Sequence, residues 1–145
     1  KTGKIVPPDV ALQLLGPLID IQIRPPKTLL KTLPREELQK TPIHVGRALI
    51  DTGAGFCMIK ASVAKKLNLT PHGTTRVTSA TEASAERNMY VVGIAIGDFR
   101  TDKDPIQAAE LTNEDLPFDF IVGRNILRNM VFIYNGFGGM ITLAE

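Results

Sequence analysis

Apolar and polar residues alternate most regularly in "LIDIQIR", where Ile19, Ile21 and Ile23 oppose Leu18, Asp20, Gln22 and Arg24. Period-two alternation after the turn-forming Gly16-Pro17 predicts a half-buried strand ending at Pro25-Pro26. Residues 27–42 hold two more prolines and the charged "REELQK", so they read as a surface excursion with about one helical turn. The chain is expected to re-enter the core at Ile43. "IHVGRALI" and "FCMI" then predict two strands flanking a glycine-containing turn, with Asp51 at its mouth.

In "ASVAKKLNL", Val63, Ala64 and Leu67 share a helical face, Ser62 is the expected cap and Asn68 the expected end. "MYVVGIAI" predicts a strand with Tyr90, Val92, Ile94 and Ile96 on one face, and the small, polar "VTSATEASAER" before it suits a mobile hairpin. "FDFIVGRNILRNM" predicts a short apolar run and a helix from Gly123, burying Ile126, Leu127 and Met130. "MVFIYNGFGGMITL" reads as a hairpin of core strands in which Asn135-Gly136 and Gly138-Gly139 supply positive-φ positions. These elements predict a mostly β domain with one or two short helices and no internal repeat.

Composition narrows the function classes. A chain of 145 residues is one domain, able to bury roughly 70% of its unfolded surface. A net charge of +2, with basic residues scattered, gives no nucleic-acid footprint. One cysteine, Cys57, excludes an intrachain disulfide, and with only His44 and His72 besides there is no zinc spacing. No metal or cofactor is expected. Cys57, between apolar neighbours, reads as a small buried hydrophobe, and the two histidines as surface or structural residues. No apolar stretch approaches the ~20 residues of a membrane span and no signal-peptide pattern opens the chain, so the expectation is a soluble, cytoplasmic protein without membrane contact.

The candidate chemistry lies in "ALIDTGAGF". A bare Asp-Thr-Gly arises by chance in about 3% of chains this long, and alone it would be a turn aspartate. Here an apolar run leads into it, and some 70 residues later "FIVGRNIL" supplies a second apolar run, a glycine and a helix. The pair "LIDTGA" and "IVGRNIL" resembles the retropepsin-like aspartic proteases. The opening "GPLIDIQI", the proline-rich insertion, "RALIDTGAG" and "YNG" followed by "ITL" are similar to small bacterial members, a likeness that runs from Gly16 to Leu143.

The resemblance implies a closed β-barrel or sandwich over residues 16–145, preceded by an N-terminal extension at 1–15. It implies Asp51 as the catalytic carboxylate, one per chain, so that a C2 homodimer would bring two together on an extended polypeptide substrate. Thr52 would lock the two loops together, Gly53 would present backbone groups to the dyad and substrate, and Ala54 would complete the loop. Gly123, Arg124 and Asn125 would brace it. A hairpin flap is implied over roughly Val77 to Met89, with Ser79, Ala80, Thr81, Glu82 and Ala83 at the substrate-binding tip, although no glycine lies between Val77 and Val92. Gly55 and Phe56 stand where viral relatives often carry acidic residues, leaving Arg124 without a sequence-evident partner. The expected function is an aspartic endopeptidase; the alternative is an inactive or weakly active module that dimerises or binds peptides. A small-molecule-binding barrel would need no such carboxylate.

Overall fold

A computed structural model describes residues 5–31, 34–38, 40–78, 84–101 and 104–145. After helix α1 (Pro8–Leu15), the chain forms β1 (Leu18–Arg24), the single turns α2 (Lys27–Leu30) and α3 (Arg35–Leu38), and β2 (His44–Ile50). There follow β3 (Cys57–Lys60), α4 (Ala61–Lys66), β4 (Gly73–Val77), the long β5 (Ala85–Ile96), β6 (Phe99–Arg100) and β7 (Ile106–Leu111). Short β8 (Phe120–Val122), α5 (Arg124–Leu127) and the hairpin β9 (Val131–Asn135) and β10 (Met140–Ala144) complete the domain, which is mostly β as expected.

Six strands close on themselves in the order β1-β2-β8-β3-β7-β5. Closure depends on the length of β5, whose Met89–Val92 pair with β7 while Gly93–Ala95 pair with β1. Closure removes the free edges that an open sheet would expose. Inside lie Ile21, Ile23, Ala48, Ile50, Ile59, Val92, Ile94 and Phe120, and α4 seals one side with Val63, Ala64 and Leu67. Leu127 and Met130 pack at the margin of this core beside the buried Ile126.

The register of three strands positions the site. β2 and β8 run parallel, with Ile50 beside Val122, so Asp51 and Gly123 leave the barrel side by side. β3 runs antiparallel to β8 on its other flank, with Ile59 beside Phe120 and Met58 beside Ile121. Residues 51–56 therefore span the end of β8, a strand buried along its whole length.

Four local expectations are corrected. Ile43 and Val45 are 51% and 69% exposed, because alternation turns His44 inward, where its Nε2 lies 2.9 Å from Asp119 Oδ2. Ser62 does not cap α4 with its own side chain on the helix; its amide and hydroxyl instead donate to the Glu114 carboxylate at 3.0 and 2.6 Å. In the last hairpin only Gly139 has positive φ, since the Asn135 side chain accepts from the Gly138 amide and shapes the turn itself. β9 is a core strand on one face only: Phe132 packs inward, while Val131 and Ile133 are exposed. Asn68, by contrast, ends α4 as expected, with φ of 52°.

Candidate active site

Asp51 follows the last residue of β2, and its amide donates to the Val122 carbonyl at 3.0 Å, fixing where the carboxylate starts. The chain then turns tightly. The Ala54 amide returns to the Asp51 carbonyl at 3.2 Å, and the Gly53 amide donates to Asp51 Oδ1 at 2.8 Å. A Cβ on Gly53 would fall 3.0 Å from that same oxygen, so the absent side chain lets the backbone approach the carboxylate.

The second motif holds this turn from beneath. Arg124 Nη1 donates to the carbonyl oxygens of Thr52 and Gly53, both at 2.8 Å, and the Arg124 amide donates to the Ala54 carbonyl at 2.9 Å. The partner that the sequence does not name for Arg124 is thus the loop's own backbone. Donors of an ionised guanidinium give stronger hydrogen bonds than neutral ones, and here one nitrogen satisfies two turn carbonyls. Gly123 is required by proximity: a Cβ there would lie 2.4 Å from the Phe56 carbonyl carbon and oxygen.

Asn125 joins three segments. Its Oδ1 accepts from the Cys57 amide at 2.9 Å and the Cys57 thiol at 3.1 Å, while its Nδ2 donates to the Gln107 carbonyl at 3.0 Å. Cys57 is fully buried, and burial pushes its thiol up to about 12, against the lowering effect of hydrogen bonds from the Gly123 amide and to Asn125. It is a packing residue rather than a nucleophile.

Asp51 opens onto a cleft of about 690 Å³. The floor is the outer face of the barrel, where Met58 pairs with Ile121 on one side and Ala109 on the other. Alternation in "CMIK", with Cys57 and Ile59 inward, was the signal that Met58 faces out. Phe56, half exposed, lies at the loop edge, and the far wall is the β4–β5 hairpin, through Thr75, Val77 and Arg87. The β4–β5 pairing, Gly73–Val77 against Ala85–Met89, overlaps the two ends of the segment 77–89 where a flap is expected. Its expected tip, Ser79, Ala80, Thr81, Glu82 and Ala83, lies outside the described residues. Among the described residues no cluster of His, Cys, Asp or Glu could hold a metal, and no helix is long and apolar enough to cross a membrane.

A sequence profile of the aspartyl proteases matches residues 39–126, a stretch that includes the Asp51 loop and the Gly123-Arg124-Asn125 segment beneath it. Among solved structures the chain is similar to a retropepsin-like aspartic protease from Rickettsia conorii, at 17% identity over 82% of this chain and 86% of that one, with a TM-score of 0.42. It is similar also to the retroviral protease-like domain of Ddi1 from Leishmania major, at 11% identity over 69% and 79%, TM-score 0.43. A Legionella pneumophila protein of unknown function matches at 18% identity over 59% and 75%, TM-score 0.38. No curated protein matches the chain. Matched over more than half of its length, the chain belongs to the aspartyl protease family.

Proposed function

We propose that the protein is an aspartic endopeptidase whose active unit is a homodimer, with Asp51 of each copy contributing one carboxylate. The observation that carries this reading is a carboxylate fixed at the mouth of a peptide-sized cleft by the Gly53 amide, on a turn held by Arg124. One Asp-Thr-Gly per chain supplies half of a dyad, and twofold symmetry would supply the other half. The exposed Val131, Ile133 and Met140 on the outer face of the terminal hairpin are compatible with burial against a second copy.

Two carboxylates within hydrogen-bond reach share one proton, because ionising both is costly. The ionised member takes a proton from a water held between them as that water attacks the peptide carbonyl. The protonated member donates to the carbonyl oxygen, and a tetrahedral diol forms without a covalent enzyme adduct. Collapse returns a proton to the leaving amine. Thr52 would tie one loop to its mate, and Ala54 keeps the turn narrow. Substrate would lie extended between the barrel face and the β4–β5 hairpin, bonded through its main chain as an added strand.

The test is cleavage of a diverse peptide library by the wild-type protein at micromolar concentration, from acidic to neutral pH, beside Asp51→Asn. Cleavage that disappears in the variant supports the reading. Equal cleavage by both proteins refutes the role of Asp51.

A further inference from the structure

The cleft face of the β4–β5 hairpin carries a cation that peptide hydrolysis itself does not use. Thr75 stands directly opposite Arg87, Val77 opposite Ala85, and Arg76 opposite Glu86. Because side chains alternate between faces, Thr75, Val77, Ala85 and Arg87 share one face. That face is half-buried and borders the cleft through Thr75, Val77 and Arg87, whereas Arg76, which also reaches the cleft's rim, and Glu86 are exposed.

The two arginines bordering the cleft have different surroundings. Arg76 faces Glu86 across the strands, an opposite-charge pair on the outer side, where Glu86 also accepts from the Thr74 hydroxyl at 2.6 Å. Arg87 has a neutral neighbour opposite, Thr75, and neutral neighbours two residues away on its own strand, Ala85 and Met89. Among the described residues, its guanidinium bonds through Nη1 to the Glu86 backbone carbonyl at 3.2 Å, using one of five N–H donors. Among the described residues, the acidic residue lining the cleft besides Asp51 is Glu110, whose Oε2 already accepts from Asn88 Nδ2 and the Tyr90 hydroxyl, each at 3.0 Å. The cleft thus combines an apolar floor of Met58, Ala109 and Ile121 with a guanidinium on its wall.

From this arrangement we infer that Arg87 is a specificity-determining residue that receives a substrate carboxylate. The substrate class is an extended peptide with apolar side chains on the cleft floor and a Glu or Asp at one neighbouring subsite. A guanidinium matches a carboxylate through two parallel hydrogen bonds, and a half-buried wall screens the pair less than open solvent would. The inference rests on the protease reading of the same site.

The experiment takes one peptide cleaved by the full chain and scans a single Glu or Gln through each position on both sides of the scissile bond. At one position, kcat/KM for Glu should exceed that for Gln by about 2- to 5-fold in low salt, the range of a partly exposed charge pair. The ratio should shrink with added salt and approach unity as pH falls through the ordinary glutamate range near ~4.3, while a cysteic-acid peptide, still ionised there, keeps its advantage. Arg87→Gln should bring the ratio to unity and Arg87→Glu should shift the preference to lysine, with melting curves confirming that both fold. A Glu-to-Gln ratio near unity at every position in the wild type, or an unchanged preference in both variants, overturns the inference while leaving the protease reading intact. Absence of all cleavage by the wild type removes the protease reading, and the subsite with it.

Discussion

Gly123 packs against the Phe56 backbone so closely that a single added methyl would sit 2.4 Å from its carbonyl carbon and oxygen. All three close atoms, including the Cys57 nitrogen at 2.9 Å, belong to the main chain, so no rotamer change relieves the clash. The φ of Gly123 is −95°, so the demand is for space rather than for an unusual backbone angle. Gly123→Ala is expected to cost about 1–3 kcal/mol or more by overpacking, and to lower Tm by about 5–10 °C. A thermal melt checks this; an unchanged Tm would mean that residues 51–56 do not rest on Gly123.

Arg124→Lys tests the brace differently. An ammonium on a flexible stem does not reproduce the fixed geometry with which Nη1 reaches both Thr52 and Gly53. Loss of these bonds should remove about 1 kcal/mol of stability, discounted for their exposure, yet reduce kcat/KM about tenfold by loosening the turn that carries Asp51. Full activity in the lysine variant would show that the charge alone suffices.

How much of this site was legible in advance depended on whether the signal was local. Alternation places Ile21 and Ile23 inside, and the two motif halves point to one site, as the parallel pairing of their strands bears out. Interactions that depend on distant residues were not legible. His44 turns inward because Asp119, 75 positions away, receives it, and this pushes Ile43 and Val45 outward against the simple apolar pattern. Ser62 finds its partner in Glu114, 52 positions on. Arg87 lies beside the expected flap tip, but only the cross-strand register places it on the cleft face.

The Ser62–Glu114 contact has a pH signature. Hydrogen bonds from the Ser62 hydroxyl and amide hold the Glu114 carboxyl below its ordinary value of 4.5. A depressed folded-state value means that the contact stabilises above the ordinary pKa and that this stabilisation is lost as pH falls through the lowered one. Glu114→Gln should therefore lower Tm above about pH 5, by only about 1–2 °C because the group is exposed, with the two melting curves converging in stronger acid. A difference that grows toward low pH would contradict the assignment.

Cys57 should be chemically silent in the folded protein. Burial keeps it in the thiol form up to about 12, and Asn125 occupies its hydrogen. Iodoacetamide at pH 8 is expected to leave it unmodified over hours and to label it fully in denaturant, as read by intact mass. Rapid labelling without denaturant would show that β3 opens beside the Asp51 turn.

The proposal that two copies share one site through Asp51 is tested most directly by mixing subunits. Asp51→Asn protein is added to a fixed amount of wild type under conditions that allow exchange, and peptide cleavage is followed. If each active unit needs an Asp51 from both copies, random pairing lowers activity per wild-type subunit to about one half at equal amounts and about one tenth at ninefold excess. Activity that stays constant however much variant is added, with exchange verified, would mean that each chain works alone and would contradict the shared dyad.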